Sequence, residues 1–141
     1  MIVVSNRHPA LRFSRRETFR TIQSVLDREV VPSFAVSVVF VGSRFIRQIN
    51  RRFLDHDYVT DVIAFSLRDG VGVDGELYVN LDRARSQARG FGVSFSEETQ
   101  RLLVHGILHL LGYKDHTPRT KSRMRAREDS ILSLLASSKK A

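Results

Sequence analysis

His105-Gly-Ile-Leu-His109-Leu-Leu-Gly112-Tyr-Lys-Asp115-His116 is the stretch from which the rest of the 141-residue chain can be read. Its leucines and isoleucine continue an apolar helical pattern. The histidines, at i and i+4, fall one turn apart on one face, so both rings reach a common point. Gly112 supplies a helix stop and a bend, which can return Asp115 or His116 towards that point. Two nitrogens from a rigid helix and one further ligand form a catalytic zinc pattern, with a fourth position left to water. A lone histidine among leucines is as a rule a hydrogen-bonded core residue. A pair at helical spacing, followed by a glycine turn and a third candidate ligand, points to a metal-dependent hydrolase.

Upstream, Ser94-Phe-Ser-Glu97 has the capping-box pattern, which starts this helix at Ser94 and carries it to Leu111. Leu102, Leu103, Val104, Ile107, Leu108, Leu110 and Leu111 leave little polar perimeter on its second half, which makes it the core helix. Imidazoles buried there need a partner on each nitrogen, a demand met by a metal and an outer acceptor. Downstream, Thr117-Pro118 opens a last helix. Its segment Arg119 to Arg127 is basic, Ile131, Leu132 and Leu135 form an apolar side, and the tail from Ser137 to Ala141 is expected to fray.

Nearer the start, residues 2–4 suit a short strand, and Ser14-Arg-Arg-Glu17 caps a helix carrying Phe19, Ile22, Val25 and Leu26 that ends near Pro32. Phe34 to Val41 is rich in β-branched residues and reads as a strand, broken by Gly42-Ser43. Phe45, Ile46, Ile49 and Phe53 mark a second helix, with Arg44, Arg47, Arg51 and Arg52 interspersed. After the polar turn Leu54 to Tyr58, Val59 to Leu67 alternates as a strand. Asp69-Gly70 and Asp74-Gly75 are turn signals that bracket a loop before the strand Glu76 to Asn80, which pairs antiparallel with its predecessor. Leu81 to Arg89 is a short basic helix closed by Gly90-Phe-Gly92. The expected fold is α/β (α+β): one domain over residues 1–141, with a small mixed sheet of about four strands packed with helices.

Composition narrows the function classes. The chain has no cysteine, which excludes both a disulfide framework and a thiolate metal site. The apolar run at the start is too short for a signal peptide, and no stretch approaches a membrane span. The cytoplasm is the expected compartment. Lysine and arginine outnumber the acids 23 to 15, a formal +8, which suggests a polyanionic partner, nucleic acid before anionic lipid.

Zinc peptidases of the two-histidine helix kind carry a glutamate directly after the first histidine as general base. Here that position is Gly106, so a peptidase-like hydrolase becomes a minor alternative. Glycine there either lets a substrate backbone approach or packs the helix. A metal can activate water and polarise a phosphoryl oxygen without that base, and a basic exterior fits phosphate, so the residues point to phosphodiester hydrolysis. RNA would add its own internal nucleophile, the 2′-hydroxyl.

His105-Gly-Ile-Leu-His109-Leu-Leu-Gly-Tyr113, with Thr60-Asp-Val-Ile-Ala-Phe65 and Gly75-Glu-Leu-Tyr-Val-Asn-Leu-Asp82, resembles the bacterial YbeY family of ribosomal-RNA maturation factors. The similarity covers most of residues 40 to 130. It implies a single-strand-specific, metal-dependent endoribonuclease acting in 16S rRNA 3′-end processing and ribosome quality control. One zinc would be held by three side chains, and rRNA, the ribosome or its proteins would be partners. His105 and His109 match the first two ligands of the family's His-x3-His-x5-His pattern. The third position falls on Asp115, one residue before His116. Either Asp115 is the third ligand, which the spacing favours, or an insertion at Lys114 lets His116 serve. The family also places an arginine after the aromatic residue of an Asn-x-x-aromatic segment. Here that segment is Asn50-Arg-Arg-Phe53 and the next residue is Leu54, which leaves Arg51 or Arg52 as possible catalytic substitutes beside His105 and His109.

Further candidates are His56 as a group near metal or substrate, Asp61 as an orienting carboxylate, and Arg119, Lys121, Arg123, Arg125 and Arg127 as phosphate contacts. Each has an ordinary surface or capping role as its alternative. Leu54 keeps open a rival reading, a non-catalytic ribosome-assembly factor with a structural metal.

Overall fold

The computed structural model describes residues 1–67 and 72–140, the side chains of Lys139 and Lys140 excepted. The elements run β1 (Ile2–Asn6), α1 (Arg15–Arg28), β2 (Phe34–Val41), α2 (Ser43–Leu54), β3 (Val62–Ser66), β4 (Val73–Asn80), α3 (Leu81–Phe91), α4 (Phe95–Leu110) and α5 (Pro118–Lys140). The four strands form one mixed sheet in the order β1-β2-β4-β3. β1, β2 and β4 are parallel, and β3 pairs antiparallel with β4. Parallel neighbours need a crossover, and α1 supplies it between β1 and β2.

Alternation along the strands sorts the core into two layers. Val36, Val38, Phe40, Leu77 and Val79 face the larger one, with residues of α1, α3, α4 and α5. Val41 and Ile63 face the smaller one, beneath Ile46 and Ile49 of α2. α4 lies inside the larger layer, where Leu103, Val104, Ile107 and Leu108 are 0% exposed. Each such leucine or isoleucine contributes about 1.5–3 kcal/mol by leaving water. The capping box at its start is present, Ser94 and Glu97 each taking the other's backbone N–H.

One local expectation is corrected. Asp74-Gly75 lies inside β4 rather than in a turn. Gly75 is needed for close approach, since a Cβ there would sit 2.6 Å from a methyl of Leu110 and 2.8 Å from the Phe65 carbonyl oxygen. The companion turn at Asp69-Gly70 lies outside the described residues. α5, expected to fray from Ser137, has a helical span that continues to Lys140. Leu135 is 1% exposed, and its carbonyl accepts from Arg20 at 3.0 Å, which ties this end of the helix down.

Candidate metal centre

Helical spacing places His105 and His109 on one face of α4, their rings edge to face with centroids 4.5 Å apart. Gly112, at φ 97°, adopts the left-handed conformation that ends the helix. The following turn carries Asp115 back over the two rings. One Asp115 carboxylate oxygen lies 3.5 Å from His105 Nε2 and 3.4 Å from His109 Nε2. The two Nε2 atoms are 3.0 Å apart. Zinc bonds of about 2.0–2.1 Å in a tetrahedron separate ligand atoms by about 3.3–3.4 Å. The observed triangle is of that size.

The outer nitrogens decide which atoms are protonated. His109 Nδ1 lies 3.1 Å from the Tyr113 carbonyl oxygen, which can only accept, so the proton is on Nδ1. His105 Nδ1 donates to Glu128 at 2.7 Å, and Glu128 is 4% exposed. With both rings neutral, each Nε2 is a bare lone pair aimed at another lone pair and at a carboxylate. Such a set is stable only around a cation, a proton or a metal. Consistently, burial pushes the His105 imidazole down, but the bond and charge of Glu128, aided by Asp115 and Asp61, outweigh it and hold its pKa above the ordinary value. The donor set, two imidazoles and a carboxylate, suits zinc.

Glu128 is itself braced. Arg101 donates to it at 2.9 Å and to Asp129 at 2.7 Å. Tyr113 is fixed by its hydroxyl, which donates to Glu29 at 2.6 Å and accepts from Arg127 at 3.2 Å. Sequence reasoning missed Glu128 and Arg101. The available signal was an acid in register with Met124, Ile131 and Leu135 on the buried side of a basic helix.

His109 and Asp115 border a cleft of about 680 Å³ whose far wall comes from the end of α2 and the segment leading to β3. His116 lines this cleft but is not one of the three converging residues. Asn50 and Leu54, at i and i+4, line the cleft, and Arg51 and Arg52 between them do not. Arg51 lies 3.6 Å from Asp57, and Arg52 lies over the Phe53 ring. The two arginines proposed as substitutes are therefore not on the cleft wall. His56 is, stacked on Tyr58.

Asp61 is half-buried and outside the triangle, and its carbonyl accepts from the Asn80 N–H at 2.8 Å. Of the basic residues on α5, Arg127 is paired with Glu29, while Arg119, Lys121, Arg123 and Arg125 are exposed. Lys121 and Arg125 line a second groove, of about 420 Å³, that His105 and Asp115 also border. Gly106 packs the helix on the sheet: a Cβ there would lie 2.9 Å from a Leu77 methyl and 3.3 Å from Val62. It offers the cleft nothing, and a glutamate would not fit.

The family model described as Endoribonuclease YbeY matches residues 3–136. The chain is 44% identical to the endoribonuclease YbeY of Chlorobaculum tepidum over 124 residues, 82% of this chain and 90% of that one. It is 38% identical to that of Salinibacter ruber over 138 residues, 92% of this chain and 88% of that one. Its fold is similar to the solution structure of TM1509 from Thermotoga maritima, with TM-score 0.62, 23% identity, and coverage of 98% of this chain and 93% of that one.

Proposed function

Since the chain belongs to the YbeY family, a family of nucleases in RNA processing, we propose that it is a zinc-dependent endoribonuclease specific for single strands. Its cytoplasmic substrate is the 3′ end of 16S rRNA during maturation and quality control, with the ribosome as partner. The observation that carries this reading is the triangle formed by the two Nε2 atoms and the Asp115 carboxylate oxygen, with edges of 3.0, 3.4 and 3.5 Å.

His105, His109 and Asp115 would hold the ion. When bound, zinc lowers the pKa of a water and polarises a phosphoryl oxygen. The chain's residues set the terms on which it does so. Glu128 and the Tyr113 carbonyl keep each Nδ1 protonated, so both Nε2 atoms stay free to ligate. Asp115 brings a negative charge that leaves a bound divalent ion a net positive one, suited to phosphate. The open cleft admits an unpaired strand to one side of the ligands. A peptidase reading has no support, because the position after the first histidine is glycine against Leu77.

The rival, a non-catalytic assembly factor, is favoured by one observation: among the described residues, Leu54 and no arginine lines the cleft. The test is cleavage of unpaired RNA by purified wild type, by His109→Ala and by a chelated sample. Cleavage that both treatments abolish, and that zinc restores to the chelated sample, is the expected result. Tight RNA binding with no metal-dependent cleavage would support the rival. Activity indifferent to both treatments would be a contaminant's.

A further inference from the structure

The far wall of the cleft has a fixed shape that owes nothing to the metal ligands. Asp55 closes α2 at φ 56°, a left-handed conformation uncommon outside glycine. From there the His56 N–H donates to the Asn50 carbonyl at 3.1 Å, and the Asn50 amide, 2% exposed, donates to the Tyr58 carbonyl at 3.0 Å. Asp57 turns outward to Arg47, which donates to it at 2.8 Å. The alternation leaves His56 and Tyr58 on the cleft. Their rings stack at 5.2 Å and 17°, with the Tyr58 hydroxyl 3.1 Å from His56 Nδ1.

A phosphodiester is an anion, and hydrogen bonds to its charged oxygens are stronger than neutral ones, so a donor on each wall of the cleft would grip it. On the ligand side stand the metal ligands, Lys114 and His116. On the far wall Leu54 is apolar and the Asn50 amide is committed to Tyr58. Among the described residues of that wall, His56 is the group that can carry positive charge. When the phenol donates its O–H to Nδ1, the neutral imidazole keeps its own proton on Nε2.

We propose that His56 contacts the substrate, donating Nε2–H to a phosphate oxygen of a single RNA strand in the cleft, with Tyr58 as the positioning residue that holds the ring. This rests on the nuclease reading above and adds a residue to it.

The experiment compares wild type, His56→Ala, His56→Gln and Tyr58→Phe, each loaded with zinc. It measures steady-state cleavage of an unpaired oligoribonucleotide and affinity for a nuclease-resistant 2′-O-methyl phosphorothioate strand. His56→Ala should lose roughly 10- to 100-fold in kcat/KM or in affinity, the worth of one charge-assisted hydrogen bond, at unchanged zinc content. His56→Gln, which keeps an N–H donor, should recover part of it. Tyr58→Phe should shift the ¹⁵N imidazole resonances of His56 towards a mixture of tautomers and lose less activity. Loss in either readout supports the proposal; wild-type values in both for His56→Ala overturn it. If wild type itself shows no metal-dependent cleavage, the nuclease reading falls. The affinity of the resistant strand then decides alone, equal binding by His56→Ala counting against the contact.

Discussion

Replacing Glu128 by glutamine keeps its shape and removes its charge, at a position 4% exposed. One carboxylate oxygen accepts from His105 Nδ1 at 2.7 Å and the other from Arg101 at 2.9 Å. The amide has a single acceptor, so one of these donors must face an N–H instead. A charged hydrogen bond contributes about 1.5–3 kcal/mol, and breaking a buried ion pair outright costs about 3–5 kcal/mol. Arg101 keeps Asp129 at 2.7 Å, which places the stability cost at about 2–3 kcal/mol, or roughly 6–12 °C in melting temperature for a chain of this size. Zinc affinity should fall about 10- to 100-fold, because the His105 tautomer is no longer enforced. The pH dependence has a definite sign. In the metal-free protein the His105 pKa lies above 6.5, and the proton must leave before a metal binds, so affinity falls as pH drops through that value. Without the Glu128 charge the pKa is lower and the fall begins at more acid pH. The affinity gap between the two proteins is therefore widest at alkaline pH and narrows on acidification. For the metal-free fold the trend reverses. A raised histidine pKa stabilises fully below 6.5 and ceases to as pH rises through the folded value, so the melting gap widens on acidification. Competition with a chromophoric chelator and thermal melts measure both. Zinc affinity within twofold of wild type at alkaline pH, with an unchanged melting temperature, would show that Glu128 does not govern His105.

Three further outcomes are expected. Asp115→Ala should lower zinc affinity at least about tenfold more than His116→Ala, since only Asp115 offers an oxygen to both Nε2 atoms; equal losses by metal analysis would reassign the third ligand. Gly106→Ala should cost about 1–3 kcal/mol by overpacking Leu77, and Gly75→Ala more, because the added Cβ meets the rigid Phe65 carbonyl at 2.8 Å; chemical denaturation orders the two. Leu54→Arg adds a cation to the cleft wall and should steepen the salt dependence of RNA binding by about 0.7 in log–log slope; an unchanged slope would mean the strand does not pass Leu54.

The parts of this site that were legible in the sequence are those set by local periodicity. His105 and His109 share a face because a helix repeats every 3.6 residues, and Gly112 ends it through its own φ preference. Asp115 follows from that turn. Glu128 was not legible, being 23 positions from His105, on another helix whose rotation against α4 is decided by packing. Asp74-Gly75 failed for the opposite reason. Its local chemistry is that of a turn, and only Leu110 and Phe65, brought close by the fold, turn the glycine into a strand residue. Arg51 and Arg52 are legible as cations but not as outward-facing ones until Asn50 and Leu54 are seen to line the cleft.

Ligand identity and ligand readiness are thus separate properties of this chain. Spacing names side chains that can reach one point; it does not say which nitrogen of each ring arrives there with a lone pair. That is settled by two acceptors, a carboxylate on α5 and a carbonyl after Gly112. Because both outer nitrogens are held as donors, the convergence of His105, His109 and Asp115 is repulsive without a cation between them, and the fold stores that demand at the mouth of the cleft. A proton satisfies it below the raised pKa of His105 and a metal above it. A competition between the two would make metal loading depend on Glu128, although Glu128 is not one of the three converging residues.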